Sequence, residues 1–178
     1  EDDKHFTHDE VKLLWKRKDD KFCQTILVLM WTGLRIGEFL NLKKSDVNME
    51  EHYFIIPKGK TLNAKRKVPI ADAIYPFFEE WYDDGDSEYI YHIDNARTTG
   101  PVSYDHYRRT FGKLMDSMGL NYTRHTFSSL LADIGVDSTL RSKLCGQPVG
   151  NNINETVYTH LDMSVLLGAV NKLECFIE

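Results

Sequence analysis

The order of apolar and polar positions divides the chain into a series of short elements. Thr7-His8-Asp9-Glu10 has the spacing of a capping box, and Phe6 and Val11 flank it as a hydrophobic staple, so a helix starts at residue 8. From Phe22 to Trp31 nearly every position is apolar. A helix without a polar face has to be buried all round, and Thr32-Gly33 ends it. A shorter helix follows over Arg35 to Lys43. The period then changes: Tyr53-Phe54-Ile55-Ile56-Pro57 and Arg66-Lys67-Val68-Pro69-Ile70 are β-prone runs on either side of a Gly/Lys/Asn stretch, which predicts an antiparallel hairpin beside Val47 to Met49. Helical spacing returns over Ala71 to Tyr82, Ser103 to Met118, Thr123 to Ile134, Ser138 to Leu144 and Ser164 to Cys175. Asp83 to Asp86 and Thr98 to Pro101 are loops between them. The predicted class is mainly α with a small antiparallel β-sheet.

With 178 residues and 42% hydrophobic content, the chain can bury one substantial core, and a single domain over 1–178 is expected. It opens without methionine in a polar stretch, Glu1-Asp2-Asp3-Lys4, as a domain trimmed from a longer protein would. No apolar run approaches the roughly 20 residues that cross a bilayer, and no secretory signal leads the chain, so a cytoplasmic protein with no membrane partner is expected. Cys23, Cys145 and Cys175 are odd in number and widely spaced, which argues against a disulfide or a zinc site.

Charge complicates the search for a partner. A net charge of −5 and a pI of about 5.8 count against nucleic-acid binding, since affinity for a duplex comes mainly from neutralising phosphates. The charges are segregated, however. Acid gathers at Glu1 to Asp3 and Glu79 to Asp86. Base gathers at Lys43-Lys44, in the run Lys58 to Lys67 with Lys65 and Arg66, at Arg108-Arg109-Lys113, at Arg124-His125 and at Arg141 and Lys143. A local basic face of this kind binds DNA on an acidic domain, with steep salt sensitivity.

Two arginines stand at the heads of apolar stripes. Arg35, Glu38, Phe39 and Leu42 share one helical face, and Arg124, Phe127, Leu130, Leu131 and Ile134 share another. Desolvating an unpaired guanidinium costs several kcal/mol, so each is expected at the floor of a cleft with an anion as partner. An internal carboxylate is one such partner, with Glu38 the candidate for Arg35. A shared phosphodiester is the other, because its paired oxygens match the planar fork of guanidinium.

Thr32-Gly33-Leu34-Arg35-Ile36-Gly37-Glu38 resembles the first arginine motif of the tyrosine recombinases, the phage-integrase family. Tyr122-Thr123-Arg124-His125-Thr126-Phe127 resembles the second, and Val157-Tyr158-Thr159-His160 the segment holding the nucleophile. The three occur in the family's order around a basic hairpin, and the likeness covers nearly the whole chain. The resemblance implies the catalytic-domain fold of these DNA breaking-rejoining enzymes, with the family's N-terminal DNA-binding domain absent from the chain. It implies that Arg35 and Arg124 hold the non-bridging oxygens of the scissile phosphate, with Glu38 buttressing the first. Lys60, with Lys58 as the alternative, would donate a proton to the departing 5′ oxygen, and Tyr158 would attack phosphorus to leave a 3′-phosphotyrosyl DNA. No cofactor and no metal is implied. Lys43, Lys44, Lys58, Lys65, Arg66, Arg108, Arg109, Arg141 and Lys143 are the expected DNA contacts.

The sequence departs from the family at two positions. Asn121 stands where the family usually has histidine, three residues before the second arginine, and Gln147 where it has histidine or tryptophan. An amide donates a hydrogen bond to a phosphate oxygen but does not accept and release a proton near neutral pH. His125 and His160 are the candidate replacements, and cleavage is expected to be slow.

The stretch from Leu161 to Leu173 is amphipathic and by default folds back on its own domain, whereas the family often docks this last helix on a neighbouring protomer. The expected partners are duplex DNA and, on DNA, further copies of the chain, with a monomer when free. The expected function is site-specific recombination or integration, as in phages and other mobile elements. A DNA-binding relative with impaired catalysis and a type IB topoisomerase-like activity are the alternatives.

Overall fold

The structure is a computed structural model and describes residues 5–57, 65–93, 100–115, 119–147 and 162–178. The first helix, α1 (His8–Trp15), begins where the capping box puts it. The Thr7 amide donates to Glu10 Oε2 at 2.7 Å and the Glu10 amide donates to Thr7 Oγ1 at 3.3 Å, while Phe6 and Val11 are both buried. The staple also ties the chain across the fold, since the Phe6 amide donates to Thr126 Oγ1 at 2.8 Å.

Helix α2 (Lys21–Thr32) is the centre of the molecule, with Ile26 to Trp31 wholly excluded from solvent. Its entry is fixed by Asp20, whose carboxylate accepts from the Cys23 amide at 2.8 Å, and its exit by Gly33 in the left-handed region. The next helix, α3 (Ile36–Leu40), is shorter than the Arg35-to-Lys43 span that the sequence predicts. A tertiary pairing ends it: the Ile90 amide donates to Leu42 O at 2.9 Å and the Lys44 amide to Glu88 O at 2.8 Å. These bonds take Leu42 to Lys44 out of the helix and give the backbone groups another set of partners.

The sheet has three antiparallel strands in the order β1 (Val47–Asn48), β2 (Tyr53–Ile56), β3 (Arg66–Pro69). The register pairs Tyr53 with Pro69 and Ile56 with Arg66. Phe54, Ile56 and Val68 face the core, and the two-residue period of a strand puts Arg66 on the same face as Val68.

Helix α4 (Tyr75–Asp83) starts later than the expected Ala71, because a proline ring fits only in the first turn and Pro76 would otherwise sit in the interior. Helices α5 (Tyr104–Met115), α6 (Tyr122–Asp133) and α7 (Ser138–Cys145) follow. Phe39, Trp81, Tyr91 and Tyr107 form an aromatic cluster from α3, α4, α5 and the 90–91 segment, with Phe39 stacked on Tyr91 at 5.6 Å between ring centroids. The Tyr107 hydroxyl shares a 2.7 Å hydrogen bond with Thr25 on α2, and burial holds its phenol protonated far above the ordinary tyrosine range.

The last helix, α8 (Met163–Asn171), tightens into a 3-10 turn over Lys172–Phe176 rather than continuing to Cys175. It packs on its own chain, against β3, and the 3-10 turn packs on α1. Leu166, Ala169, Val170 and Leu173 are buried there. Asp72 and Asn171 bond reciprocally, amide to Oδ1 at 2.9 Å and Nδ2 to Oδ2 at 3.0 Å. No helix among the described residues is long and apolar enough to cross a membrane.

Candidate active site

The site is built around the turn that ends α2. Gly33 has φ +64, and a Cβ on it would lie 2.4 Å from Cδ1 of Phe127 on α6, so the turn needs glycine for conformation and for space. The close approach brings α6 against α2 and delivers Arg124 to the turn itself, where its Nη1 donates to the Gly33 carbonyl at 2.7 Å. Two residues on, Arg35 is the residue before α3, in extended conformation with φ −73 and ψ 146. It therefore does not share the inward face of α3, as the helical spacing predicts. Its side chain is 56% exposed, at the rim and not the floor.

Glu38 sits beneath the two arginines with a side chain 12% exposed. Its carboxylate accepts from the Arg35 amide at 2.9 Å and from Arg35 Nη1 at 3.0 Å. A second guanidinium holds it with both nitrogens: Arg66 on β3 donates from Nη1 at 3.2 Å and from Nη2 at 3.0 Å. Burial is the largest single influence on Glu38 and opposes its charge. The hydrogen bonds and charge of Arg66, with those of Arg35, outweigh it together and hold the carboxyl below the usual carboxylate range.

Arg124 is part-buried, and its proton affinity is lowered first by desolvation and then by the positive charges of Arg35 and Arg66, against the opposing influence of Cys145 and Glu38. These interactions join Arg35, Arg66 and Arg124 in one electrostatic cluster. Cys145, buried at the end of α7, lies in the same field: burial pushes its thiol up, and Arg124, Arg66, Arg141 and Arg35 oppose that shift. Among the described residues these guanidinium groups share one carboxylate, and such an arrangement carries net positive charge and suits an anion with several oxygens.

The other predicted positions are spread over the fold. Asn121 and His125 are exposed at the start of α6, one turn apart, and Gln147 is exposed just past Gly146, which caps α7 in the left-handed region. Lys65, Lys67 and Lys143 line a pocket of about 460 Å³ between β2, β3, the end of α7 and the start of α8, with Glu51 and Asp162 on its walls. Desolvation lowers the proton affinity of Lys143 there. Arg108 and Arg109 are exposed on α5, and Arg141 is half-buried with Nη1 donating to Ser128 O at 3.4 Å. Lys58, Lys60, Tyr158 and His160 lie outside the described residues.

Three expected DNA contacts have other partners. Lys43 pairs with Glu88 at 3.1 Å, and Lys44 donates to the carbonyls of Asp84 and Gly85 at 3.1 Å each, so both ammonium groups serve the acidic 84–88 loop. Arg66 points inward, with its side chain only 8% exposed. The basic run from Lys58 to Lys67 hid this role, although the shared strand face with Val68 was a sequence signal for it.

A model of the phage integrase family matches residues 4–164. The tyrosine recombinase XerA of Thermococcus kodakarensis is 32% identical over 95% of this chain, and a tyrosine recombinase of Agathobacter rectalis is 30% identical over 84% of it. The chain spans 62% of the length of the first and 50% of the second. Among solved structures, the Tn1549 transposon integrase in complex with circular intermediate DNA has the same fold, with a TM-score of 0.69 at 22% identity over 92% of this chain and 63% of that one. XerA recombinase in its crystal form gives a TM-score of 0.70 at 22% identity over 94% and 62%. The paired arginine motifs on one glycine turn, the small antiparallel sheet and these matches agree: the chain belongs to the phage integrase family, the tyrosine recombinases.

Proposed function

We propose that this chain, as the catalytic domain of a longer recombinase, cleaves and rejoins duplex DNA at specific sites through a covalent bond to Tyr158. The observation that carries this reading is the tie between the two arginine motifs, in which Arg124 bonds the Gly33 carbonyl two residues from Arg35. A phosphodiester bridging the two guanidinium groups would have both non-bridging oxygens held, and its transition state, which gathers charge on those oxygens, would be stabilised more than the ground state.

In the proposed reaction the Tyr158 oxygen bonds to phosphorus as the P–O5′ bond breaks. Lys60, or Lys58, protonates the departing oxygen to give a free 5′ hydroxyl. The phenol, with an unperturbed pKa of about 10, has to lose its proton as it attacks, and His125 is a histidine on α6 beside Arg124 available for that transfer. The phosphotyrosyl bond keeps the energy of the broken linkage, so attack by the 5′ hydroxyl of a second strand rejoins the DNA. The basic pocket of Lys65, Lys67 and Lys143 and the exposed Arg108 and Arg109 would contact the duplex backbone. Several copies acting on one DNA site would complete the exchange.

A nicked suicide substrate tests the proposal. The wild-type chain is expected to accumulate a denaturation-resistant DNA adduct, and Tyr158→Phe to form none. A second reading is favoured by Asn121 and Gln147, the two amides at positions where proton transfer is expected: a relative that binds DNA without cutting it. Salt-sensitive duplex binding with no adduct from the wild-type chain would establish that reading in place of the first.

A further inference from the structure

We infer that Arg66 is a positioning residue of the strand-cleavage site, taking up the charge of Glu38 so that Arg35 stays open to phosphate. The inference deepens the proposed function and rests on it. It removes Arg66 from the DNA-contacting surface and gives it a task inside the protein.

Glu38 is shared unequally between two guanidinium groups. Arg66 grips it through both Nη atoms, at 3.2 and 3.0 Å, whereas Arg35 offers one Nη at 3.0 Å and keeps a side chain that is 56% exposed. A lone carboxylate three residues from an arginine would close on it as a fork-to-fork pair, which cancels its charge and occupies the edge that a phosphate needs. With Arg66 present, the trio of Arg35, Glu38 and Arg66 keeps one net positive charge, and that charge sits on the exposed member.

The place of Arg66 is built, not incidental. Strand register turns it to the inward face of β3, and its side chain is 8% exposed. On its other side is Gly146, in the left-handed cap of α7, where a Cβ would come within 2.7 Å of the Arg66 Cζ and Nη1. The glycine leaves room for the guanidinium against the α7 terminus. Arg66 thereby links three elements: strand β3, the turn with Arg35, and the end of α7 beside Gln147.

The test compares the full chain with Arg66→Met, Arg66→Lys and the double variant Arg66→Met with Glu38→Gln. The rate of adduct formation at saturating suicide duplex is measured per folded molecule, together with the duplex Kd. Arg66→Met is expected to cut the rate at least tenfold with Kd changed less than threefold, because Glu38 then captures Arg35. The double variant is expected to regain at least threefold over Arg66→Met, since the capturing carboxylate is gone. Arg66→Lys, which keeps the charge but not the fork, should lie between wild type and Arg66→Met. A purely structural role makes the two changes add in harm. A rate for Arg66→Met within twofold of wild type, or a double variant no faster than Arg66→Met, overturns the inference. Should Arg66→Met not fold, Arg66→Lys within twofold of wild type overturns it. Arginine side-chain ¹⁵N spectra give a readout independent of cleavage: Arg35 guanidinium rotation should slow in Arg66→Met. If it is unchanged the inference fails, even on a chain that cuts DNA. Absence of any adduct from wild type refutes the proposed function instead, while the Arg35 spectra still decide whether Arg66 governs that guanidinium.

Discussion

Replacing Gly33 with alanine perturbs the site through the backbone, and the structure sets the size of the effect. Two costs combine. A non-glycine residue in the left-handed region costs roughly 1–2 kcal/mol, and Gly33 has φ +64. The added methyl would also lie 2.4 Å from Cδ1 and 2.8 Å from Cε1 of Phe127, well inside ordinary contact. Phe127 is 1% exposed and boxed by its neighbours, so the ring cannot swing clear. Overpacking of this sort costs about 1–3 kcal/mol. Against these, the reduced freedom of the unfolded chain returns about 0.4–1 kcal/mol. The net loss is therefore about 1–5 kcal/mol. Gly135 supplies an internal control, with φ +79 and nothing within 4 Å of its Cβ position. Gly135→Ala meets the same conformational strain and the same unfolded-state gain without a collision. Urea denaturation of both variants, analysed where their m-values agree with wild type, isolates the collision as the difference between them, about 1–3 kcal/mol. The Gly33 carbonyl also anchors Arg124, so Gly33→Ala should slow adduct formation per folded molecule by roughly tenfold, which corresponds to about 1.4 kcal/mol of barrier, while Gly135→Ala leaves it unchanged. Equal destabilisation by the two alanines would refute the reasoning about the α2–α6 contact.

The remaining expectations concern single side chains of the site. Glu38→Gln should destabilise the fold by roughly 3 kcal/mol at neutral pH, since it breaks a buried ion pair in which both Nη atoms of Arg66 hold the carboxylate. Because the folded-state pKa of Glu38 is depressed, its stabilisation is present above the unfolded carboxyl pKa and is lost as pH falls through the lower folded value. The stability gap between wild type and Glu38→Gln should therefore narrow on acidification in thermal or urea unfolding, and a gap independent of pH would contradict the pairing. Arg35→Ala should leave stability within about 1 kcal/mol, as expected for an exposed pair, yet reduce the adduct rate about 10²–10³-fold; a stable, undiminished enzyme would remove Arg35 from the reaction. Asn121→His should accelerate cleavage of a nicked suicide substrate and give a pH–rate profile with an inflection in the histidine range, and no acceleration would place the proton acceptor elsewhere.

Much of the fold could be read from the chain because its signals are local. The capping box at Thr7, the apolar run through α2 and the β-prone run of β2 each depend on residues a few positions apart. Elements whose ends are set by distant partners were read less well. The sequence extends α3 to Lys43, but hydrogen bonds from the 88–90 segment claim its last turn. Pro76 held a local signal that the helical spacing around it masked, and α4 begins late as a result.

The site divides along the same line. The sequence alone determined which family the chain belongs to: two arginine motifs, a glutamate three residues after the first, and a basic run between two strands, in an order that marks a tyrosine recombinase. Only the tertiary structure decided how those charges are assigned. A guanidinium looks the same in sequence whether it meets DNA or a buried carboxylate, and strand register, the Glu38 carboxylate and the space left by Gly146 turned Arg66 inward. Lys43 and Lys44 likewise belong to the acidic loop because folding brings 84–88 to them. Pairing energy depends on distance and dielectric, and both are properties of the folded chain.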